Sequence, residues 1–155
     1  MQIKNIMTTN VHTLKRNNTL LEGCIIMRNK NIGAIPIVND DNEVEGIITD
    51  RDIVLALASN HKLNDKIDSF MTKDVSYLEE TAHLFDLCDL ISVRQIKRIP
   101  ITRNNKLVGI VSVSDLTRSN TTEEYAKDLF IDISYDPLKE FEDPNKYLEV
   151  DDFRL

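Results

Sequence analysis

The sequence predicts an α+β fold in which two similar β-α-β-β-α units pack about a pseudo-twofold axis. The first observation is an internal repeat, because motifs in the first half of the chain recur 64 positions later. The second is that both copies show the same order of extended and helical patterns. A copy of about 60 residues is too small to bury its own faces well, so the two copies are expected to pack together.

The internal repeat consists of three motifs that recur in the same order, with one residue lost in the second copy before the last motif. Ordered matches with a single gap are poorly explained by chance, so we interpret the chain as a tandem duplication. The matching motifs are Ile6-Met7-Thr8 with Phe70-Met71-Thr72, Ile35-Pro36-Ile37 with Ile99-Pro100-Ile101, and Gly46-Ile47-Ile48-Thr49 with Gly109-Ile110-Val111-Ser112.

Each copy is expected to begin with a short extended segment, at residues 11–14 or 75–78, followed by a helix. Apolar residues at helical spacing predict the first helix from about Leu20, and either Asn18 or Thr19 is placed to cap it. The counterpart helix in the second copy is predicted from about Leu84, with two candidate caps, Thr81 and His83.

A short apolar run that contains a proline, Pro36 or Pro100, follows the first helix of each copy. Because proline cannot donate to a sheet ladder, the run is expected to form an edge strand or a bulge. A polar turn then leads into a second apolar run, which predicts a hairpin. A second helix is expected to begin near Asp52 in the first copy and near Asp115 in the second.

The net negative charge of the chain comes from its C-terminal end. Residues 1–120 carry 15 basic and 15 acidic residues and sum to zero, whereas residues 121–155 carry 4 basic and 11 acidic residues, giving 4 − 11 = −7. Without a basic stripe, nucleic acid is not an expected partner. No apolar stretch approaches the roughly 20 residues that span a bilayer. A secretory signal is not evident either, so we expect a cytoplasmic protein with no membrane partner.

The cysteines and histidines do not form a recognisable reactive or metal-binding pattern. Cys24 and Cys88 occupy the same position in the two copies, which favours small buried thiols on two related helices. His12, His61 and His83 lack metal-ligand spacing to one another or to the cysteines. Catalytic signatures such as a Walker loop are also lacking, so we expect neither a bound metal nor an enzyme.

The repeated motifs resemble the CBS domain family, the regulatory repeat named after cystathionine β-synthase. The resemblance rests on the Ile-Met-Thr and Ile-Pro-Ile motifs and on Gly-Ile-Ile-Thr-Asp-Arg-Asp-Ile with its partner Gly-Ile-Val-Ser-Val-Ser-Asp-Leu. It covers roughly residues 5–118. It implies a tandem pair, association of two pairs into a homodimeric disc, and adenine nucleotides bound in clefts between the repeats.

The resemblance also implies ligand contacts at the two junctions between strand and helix. Thr49 and Asp52 form one such pair, and Ser112 and Asp115 form the other. A hydroxyl at the strand end can donate to a phosphate oxygen, and a carboxylate at the helix start can accept from both ribose hydroxyls. The alternative is that all four residues serve as helix caps, a position that these residue types favour in any fold.

Arginines are expected to decide where a phosphate is bound, because the neutral body offers no general positive field. Arg51 lies inside the first motif, so the cleft bordered by that motif is expected to be favoured for phosphate-bearing ligands. Arg98 replaces Ala34 of the first copy and is a second candidate phosphate ligand, whose cleft the sequence does not assign. The adenine is expected against apolar residues of one copy or the other, namely Val11, Ile35 and Ile37 or Val75, Ile99 and Ile101.

Two functions follow as hypotheses. The first is a non-catalytic sensor that binds AMP, ADP or ATP as a regulatory ligand, requires no other cofactor and passes occupancy to a protein partner. The second is a ligand-free dimeric scaffold that contacts partners through its C-terminal extension. Either form is expected to dimerise through an apolar stripe on the second helices, made of Ile53, Val54, Leu57 and Ala58 with Leu116.

The chain is therefore divided into a first repeat at 1–66, a second repeat at 67–120 and an acidic extension at 121–155. Six of the nine aromatic residues lie in the extension, which argues against a simple disordered acidic tail. A helix capped by Thr121 or Thr122 and running to about Phe130 is expected there, followed by irregular structure. Docking of these aromatics on the body or on the second subunit is favoured over recruitment of a partner.

Overall fold

The computed structural model describes residues 1–116, and the predicted extension at 121–155 lies outside the described residues. The elements confirm the α+β repeat. The first copy contains α1 (Leu20–Lys30), β1 (Ala34–Val38), β2 (Val44–Thr49) and α2 (Asp50–Ala58). The second copy contains β3 (Leu78–Glu79), α3 (Leu84–Arg94), β4 (Arg98–Arg103), β5 (Lys106–Ser112) and α4 (Val113–Leu116).

Each copy folds its two longer strands into an antiparallel hairpin. In the second copy, β3 adds to β4 in parallel and gives the strand order β3-β4-β5. In the first copy, the equivalent extended segment contributes a single parallel bridge between Leu14 and Ile37. The extended piece predicted at the start of each copy is thus present but shorter than expected in both, with a single bridge in the first copy and the two-residue β3 in the second.

The proline-bearing run was expected to form an edge strand or a bulge. The bulge is present, because the register of each hairpin shifts within the run, between Ile37 and Val38 and between Ile101 and Thr102. The edge-strand alternative was wrong. The strand β4 lies between two neighbours, and β1 is bonded by β2 on one side and by Leu14 on the other. Pro36 is tolerated because it faces Ile47, whose own N–H and C=O bond to Thr72 on the far side of β2. On the other edge of β1, the Pro36 carbonyl accepts from the Leu14 N–H at 3.2 Å, and no bond on this edge requires an N–H from residue 36. The proline therefore costs the sheet no backbone hydrogen bond.

The helix caps follow the local sequence. Thr19 caps α1 by accepting from the Glu22 N–H, and the Glu22 carboxylate accepts from the Thr19 N–H at 2.7 Å. That hydrogen bond holds the pKa of Glu22 below its usual value. His83 occupies the cap position of α3, where its N–H donates to the Asp86 carboxylate at 2.8 Å. Thr19 and His83 are therefore the caps among the candidates.

Each hydrophobic core is completed by a segment that precedes the other copy. Ile3 is fully buried in the core of the second copy, together with Leu87, Ile99 and Val111. The core of the first copy takes up Ile67 and Met71 from the start of the second copy. Its other buried residues come from the first copy itself and are Leu14, Leu20, Met27, Ile35, Ile37, Ile48, Ile53 and Ala56. We call residues 1–8 and 65–72 the crossing segments.

The crossing segments explain why the third motif of each copy begins with glycine. A methyl group placed on Gly109 would lie 2.5 Å from Met7 Sδ and 3.2 Å from the Thr8 carbonyl oxygen. At Gly46 the corresponding distances are 2.6 Å to Met71 Sδ and 3.1 Å to the Thr72 carbonyl oxygen. A side chain at either glycine is excluded, because the space above it is filled by a methionine of the opposite crossing segment.

The two cysteines are partly buried and pack against the cores of their own copies, as expected. Burial raises the pKa of the Cys88 thiol, which disfavours the nucleophilic thiolate. This is consistent with a structural role on the helix.

The stripe predicted for dimerisation is divided by the fold. Ile53 and Leu116 lie in the cores and are 4% and 0% exposed, so their assignment to an outer face was wrong. Val54 and Leu57 are exposed at 62% and 42%, and Leu55, which the prediction did not include, is exposed at 54%. The outward apolar face of α2 is therefore Val54, Leu55 and Leu57.

The packing of methionine over glycine predicts that Gly109→Ala and Gly46→Ala each lower the free energy of unfolding by about 1–3 kcal/mol, the usual cost of overpacking. Gly23→Ala is the matched control. It lies inside α1 with its nearest atoms at 3.7–3.8 Å, so added helix propensity should raise stability by about 0.5–1 kcal/mol. Urea unfolding of the three variants measures both effects. Equal stability of Gly23→Ala and Gly109→Ala would contradict the tight packing of methionine over glycine.

Candidate ligand-binding clefts

The two predicted pairs at the strand-to-helix junctions have the same local geometry. Ser112 donates through its N–H and its hydroxyl to Asp115 Oδ2 at 2.8 and 2.6 Å. Thr49 contacts Asp52 Oδ2 in the same way, at 2.7 Å from each atom. Both pairs therefore serve as caps, and the carboxylates are held at fixed positions at the ends of β2 and β5.

A cleft of ≈ 240 Å³ brings the start of the first copy to the end of the second, and we call it the Ser112 cleft. Four residues predicted as ligand contacts line it: Val11, Arg98, Ser112 and Asp115. Its remaining walls are Thr8, Asn10 and His12, Asn31 through Ala34, Pro36, Ile110 and Ser114.

A second cleft of ≈ 230 Å³ occupies the pseudo-symmetric position, and we call it the Val75 cleft. Val75 and Arg98 are the predicted contacts that line it. Its other lining residues are Ile47, Thr72, Asp74, Ser76, Arg94 and Ile96. Within it, Arg94 forms an ion pair with Asp74 at 3.9 Å.

Arg98 is the one residue that lines both clefts within the described chain. Gly33 makes room for its guanidinium, because a methyl group on Gly33 would lie 3.0 Å from Arg98 Nη2 and 2.9 Å from Asp50 Oδ2. No ion pair or side-chain hydrogen bond of Arg98 is formed within residues 1–116. A cation without an ion-pair partner in residues 1–116 thus lines both clefts.

The residues of the first motif are placed apart from both clefts. Thr49, Arg51 and Asp52 are not among the lining residues of either. Asp52 instead borders a shallow groove beside Leu55 and Phe70. The structure therefore brings Arg98, not Arg51, to the serine and aspartate of a cleft.

The isoleucines expected against an adenine belong to the hydrophobic cores. Ile35, Ile37, Ile99 and Ile101 are each 0% exposed, so their side chains have no surface to offer a ligand. Val11 and Val75, by contrast, are half-buried on the cleft walls.

Sequence reasoning missed several polar residues of the clefts. Asn10 and His12 line the Ser112 cleft, and their counterparts Asp74 and Ser76 line the Val75 cleft. Their signal is the repeat itself, because each pair is 64 positions apart and directly flanks the predicted Val11 or Val75. The difference between Asn10 and Asp74 also places a carboxylate in one cleft where the other has an amide.

Two features of residues 1–116 bear on other functions. None of their histidine, cysteine and carboxylate side chains form a group of three or more that could hold a metal ion. Over the same residues, the structure has no helix of the length and apolarity needed to cross a bilayer.

Comparison with known proteins matches both copies to one family. The family model described as the CBS domain matches residues 3–59 and 67–120. The uncharacterised protein YlbB of Bacillus subtilis is 38% identical over 135 residues, which is 86% of this chain and 91% of that protein. A homoserine O-acetyltransferase of Methanococcus vannielii is 34% identical over 125 residues, which is 77% of this chain but 25% of that enzyme.

Solved structures agree with the fold. The Hypoxic Response Protein I structure, which has two coordinated zinc ions, gives a TM-score of 0.71 at 30% identity and covers 76% of this chain and 98% of that one. The CBS domain pair of protein MJ0100, in complex with 5′-methylthioadenosine and S-adenosyl-L-methionine, gives a TM-score of 0.70 at 29% identity, covering 76% and 94%. Since the family model spans both copies of the repeat, the chain belongs to the CBS domain family as a tandem pair.

Proposed function

We propose that this CBS pair is a non-catalytic regulatory module that binds an adenine nucleotide of the AMP, ADP or ATP type and passes its occupancy to a protein partner. The observation that carries the proposal is the unpaired Arg98 guanidinium, which lines the same cleft as Ser112 and Asp115. We place the preferred site in the Ser112 cleft, not at the first motif as the sequence suggested.

The electrostatics of the Ser112 cleft favour a phosphate. Moving a phosphate out of bulk water has to be offset by cations or oriented donors. Arg98 supplies a guanidinium that forms no ion pair within residues 1–116, and guanidinium pairs with phosphate through two parallel hydrogen bonds. His12, Asn10 and Ser114 line the same walls and add further polar groups.

The ribose is proposed to bind at Asp115. Its Oδ2 atom is held by the Ser112 N–H and hydroxyl, so the carboxylate is positioned before a ligand arrives. A fixed carboxylate accepts from two neighbouring hydroxyls with little ordering cost. The adenine then lies towards Val11 and the small residues Gly33 and Ala34, which leave room on the opposite wall.

The relatives support the class of ligand and not its identity. The CBS pair of MJ0100 is described with two adenosine-containing ligands, and an adenosyl group is what AMP, ADP and ATP share with them. Methionine-derived ligands lack the phosphates that Arg98 favours, which is why we propose a nucleotide. We further propose that the protein is cytoplasmic. The boundary between the two repeats is proposed to lie between residues 66 and 67.

A homodimer completes the proposal. Val54, Leu55 and Leu57 lie exposed on α2, and Leu21 and Ile25 lie exposed on the neighbouring α1 at 39% and 41%. Apolar residues clustered on adjacent helices are typical of an interface. The same surface is the specific support for the second candidate function, a dimeric scaffold that binds no ligand.

The nucleotide role of Arg98 predicts that Arg98→Gln weakens AMP binding by about tenfold or more, because a charge-assisted contact is lost. Arg51→Gln is the matched control, since it removes the same charge from an exposed residue outside both clefts, and should change affinity by no more than about twofold. Calorimetry on both variants measures the difference. If Arg51→Gln weakened AMP binding more than Arg98→Gln, the site would instead lie at the first motif.

The choice between sensor and scaffold predicts the outcome of a thermal-shift panel with AMP, ADP, ATP and S-adenosylmethionine. A ligand present at 100 times its dissociation constant stabilises the folded state by about 2.7 kcal/mol. We expect a clear shift with at least one phosphate-bearing nucleotide. A panel without any shift would contradict the sensor and favour the scaffold.

The dimer proposal predicts that the double variant Val54→Glu/Leu57→Glu is monomeric in light scattering at micromolar concentration, because two buried carboxylates would oppose the interface. Tyr77→Glu, at a residue 49% exposed and outside α1 and α2, is the control and should remain dimeric. A monomeric parent protein under the same conditions would contradict the proposed dimer.

A further inference from the structure

We propose that Arg98 is a single counter-ion shared by the two clefts, so that a phosphate-bearing ligand in one cleft weakens the binding of a second such ligand in the other. The inference rests on the proposed nucleotide binding and adds its regulation: the pair registers one anionic ligand at a time. The juxtaposition that carries it is one guanidinium lining both the Ser112 cleft and the Val75 cleft.

The repeat shows why there is one guanidinium for two clefts. In the pseudo-symmetric arrangement, the position of Arg98 in the second copy corresponds to Ala34 in the first. Ala34 is 5% exposed and has no charge to contribute. Each cleft would need an arginine at this position to serve its own ligand, and the chain has it once.

The geometry of the first copy lets Arg98 reach beyond its own cleft. The side chain starts from β4, beside the Val75 cleft, and its Nη2 atom ends near Gly33 on the wall of the Ser112 cleft. Lys97 stands where the second copy would need an equivalent of Gly33. The two copies therefore differ at both positions that bring the tip of Arg98 to the Ser112 cleft.

The remaining charged groups do not replace Arg98. Arg94 is the other arginine on the wall of the Val75 cleft, and Asp74 lies 3.9 Å from it. In the Ser112 cleft, His12 is the other residue able to carry a positive charge among the described lining residues, and the corresponding residue of the Val75 cleft is the neutral Ser76. Arg98 is thus the one arginine or lysine on either described wall that lacks an ion pair in residues 1–116.

A shared counter-ion couples the clefts by linkage. When the phosphate in the Ser112 cleft holds the guanidinium, a ligand in the Val75 cleft has to bury its own phosphate without that charge. Binding free energies are reciprocal, so the second ligand weakens the first by the same factor. Loss of one charge-assisted contact corresponds to a coupling of about tenfold.

The test resolves the two clefts by nuclear magnetic resonance, with the methyl groups of Val11 and Val75 as reporters, because each valine lines one cleft. The full chain is titrated with AMP, and then with adenosine, which lacks the phosphate. With AMP we expect the Val11 signals to shift first and the Val75 signals to shift at a concentration about tenfold higher. With adenosine, the two midpoints should not depend on each other.

The decisive variant is Asp115→Ala, which weakens the Ser112 cleft without touching the Val75 cleft. Under the shared counter-ion, the Val75 midpoint for AMP falls by up to about tenfold, because Arg98 is released, while the midpoint for adenosine stays unchanged. Gly33→Ala is a second variant that leaves both capping pairs intact. Its methyl group displaces the flexible tip of Arg98 from the Ser112 cleft, so the Val11 midpoint rises and the Val75 midpoint falls.

The outcomes separate this inference from the proposed function. AMP binding with a Val75 midpoint that neither variant changes overturns the shared counter-ion and leaves the nucleotide site standing. Two equal and independent midpoints in the parent protein do the same. If neither valine responds to AMP, the proposed nucleotide function fails and the inference fails with it.

Discussion

The structure depends on the exchange of the crossing segments between the two copies. Ile3, at the start of the chain, completes the core of the second copy, and Ile67 completes the core of the first. Both are fully buried. Met7 and Met71 then cover glycines of the opposite sheets at distances that exclude a methyl group. Neither core is complete without the other copy, which is why a repeat of this size is stable as a pair.

The exchange also creates the clefts. Thr8 pairs with Ile110 through two backbone hydrogen bonds of 2.9 and 3.0 Å, and both residues line the Ser112 cleft. Thr72 and Ile47 make the same pair in the Val75 cleft. A ligand in either cleft therefore contacts the seam that joins the copies. Under the proposed function, occupancy would change how firmly the copies are held, which is the physical basis of the proposed regulation.

The pseudo-symmetry of the backbone is not matched by the side chains. The clefts are of nearly equal size, but in the repeat Arg98 corresponds to Ala34, Asp74 to Asn10, and Lys97 to Gly33. Duplication provides two similar cavities, and a few substitutions decide the charge of each. The difference in charge between the clefts thus lies in these few positions.

The sequence by itself determined the repeat, the order of the elements and the residue types at both junctions, and it narrowed the helix caps to two candidates each. These features depend on neighbours in the chain, so periodicity and motif spacing report them directly. Tertiary structure alone decided that the proline-bearing β4 is central, that Ile53 and Leu116 face inward, and that Arg98 rather than Arg51 reaches a cleft. Each of these depends on how separate segments of the chain pack together, and hydrophobic pattern specifies that a residue is buried without specifying against which segment.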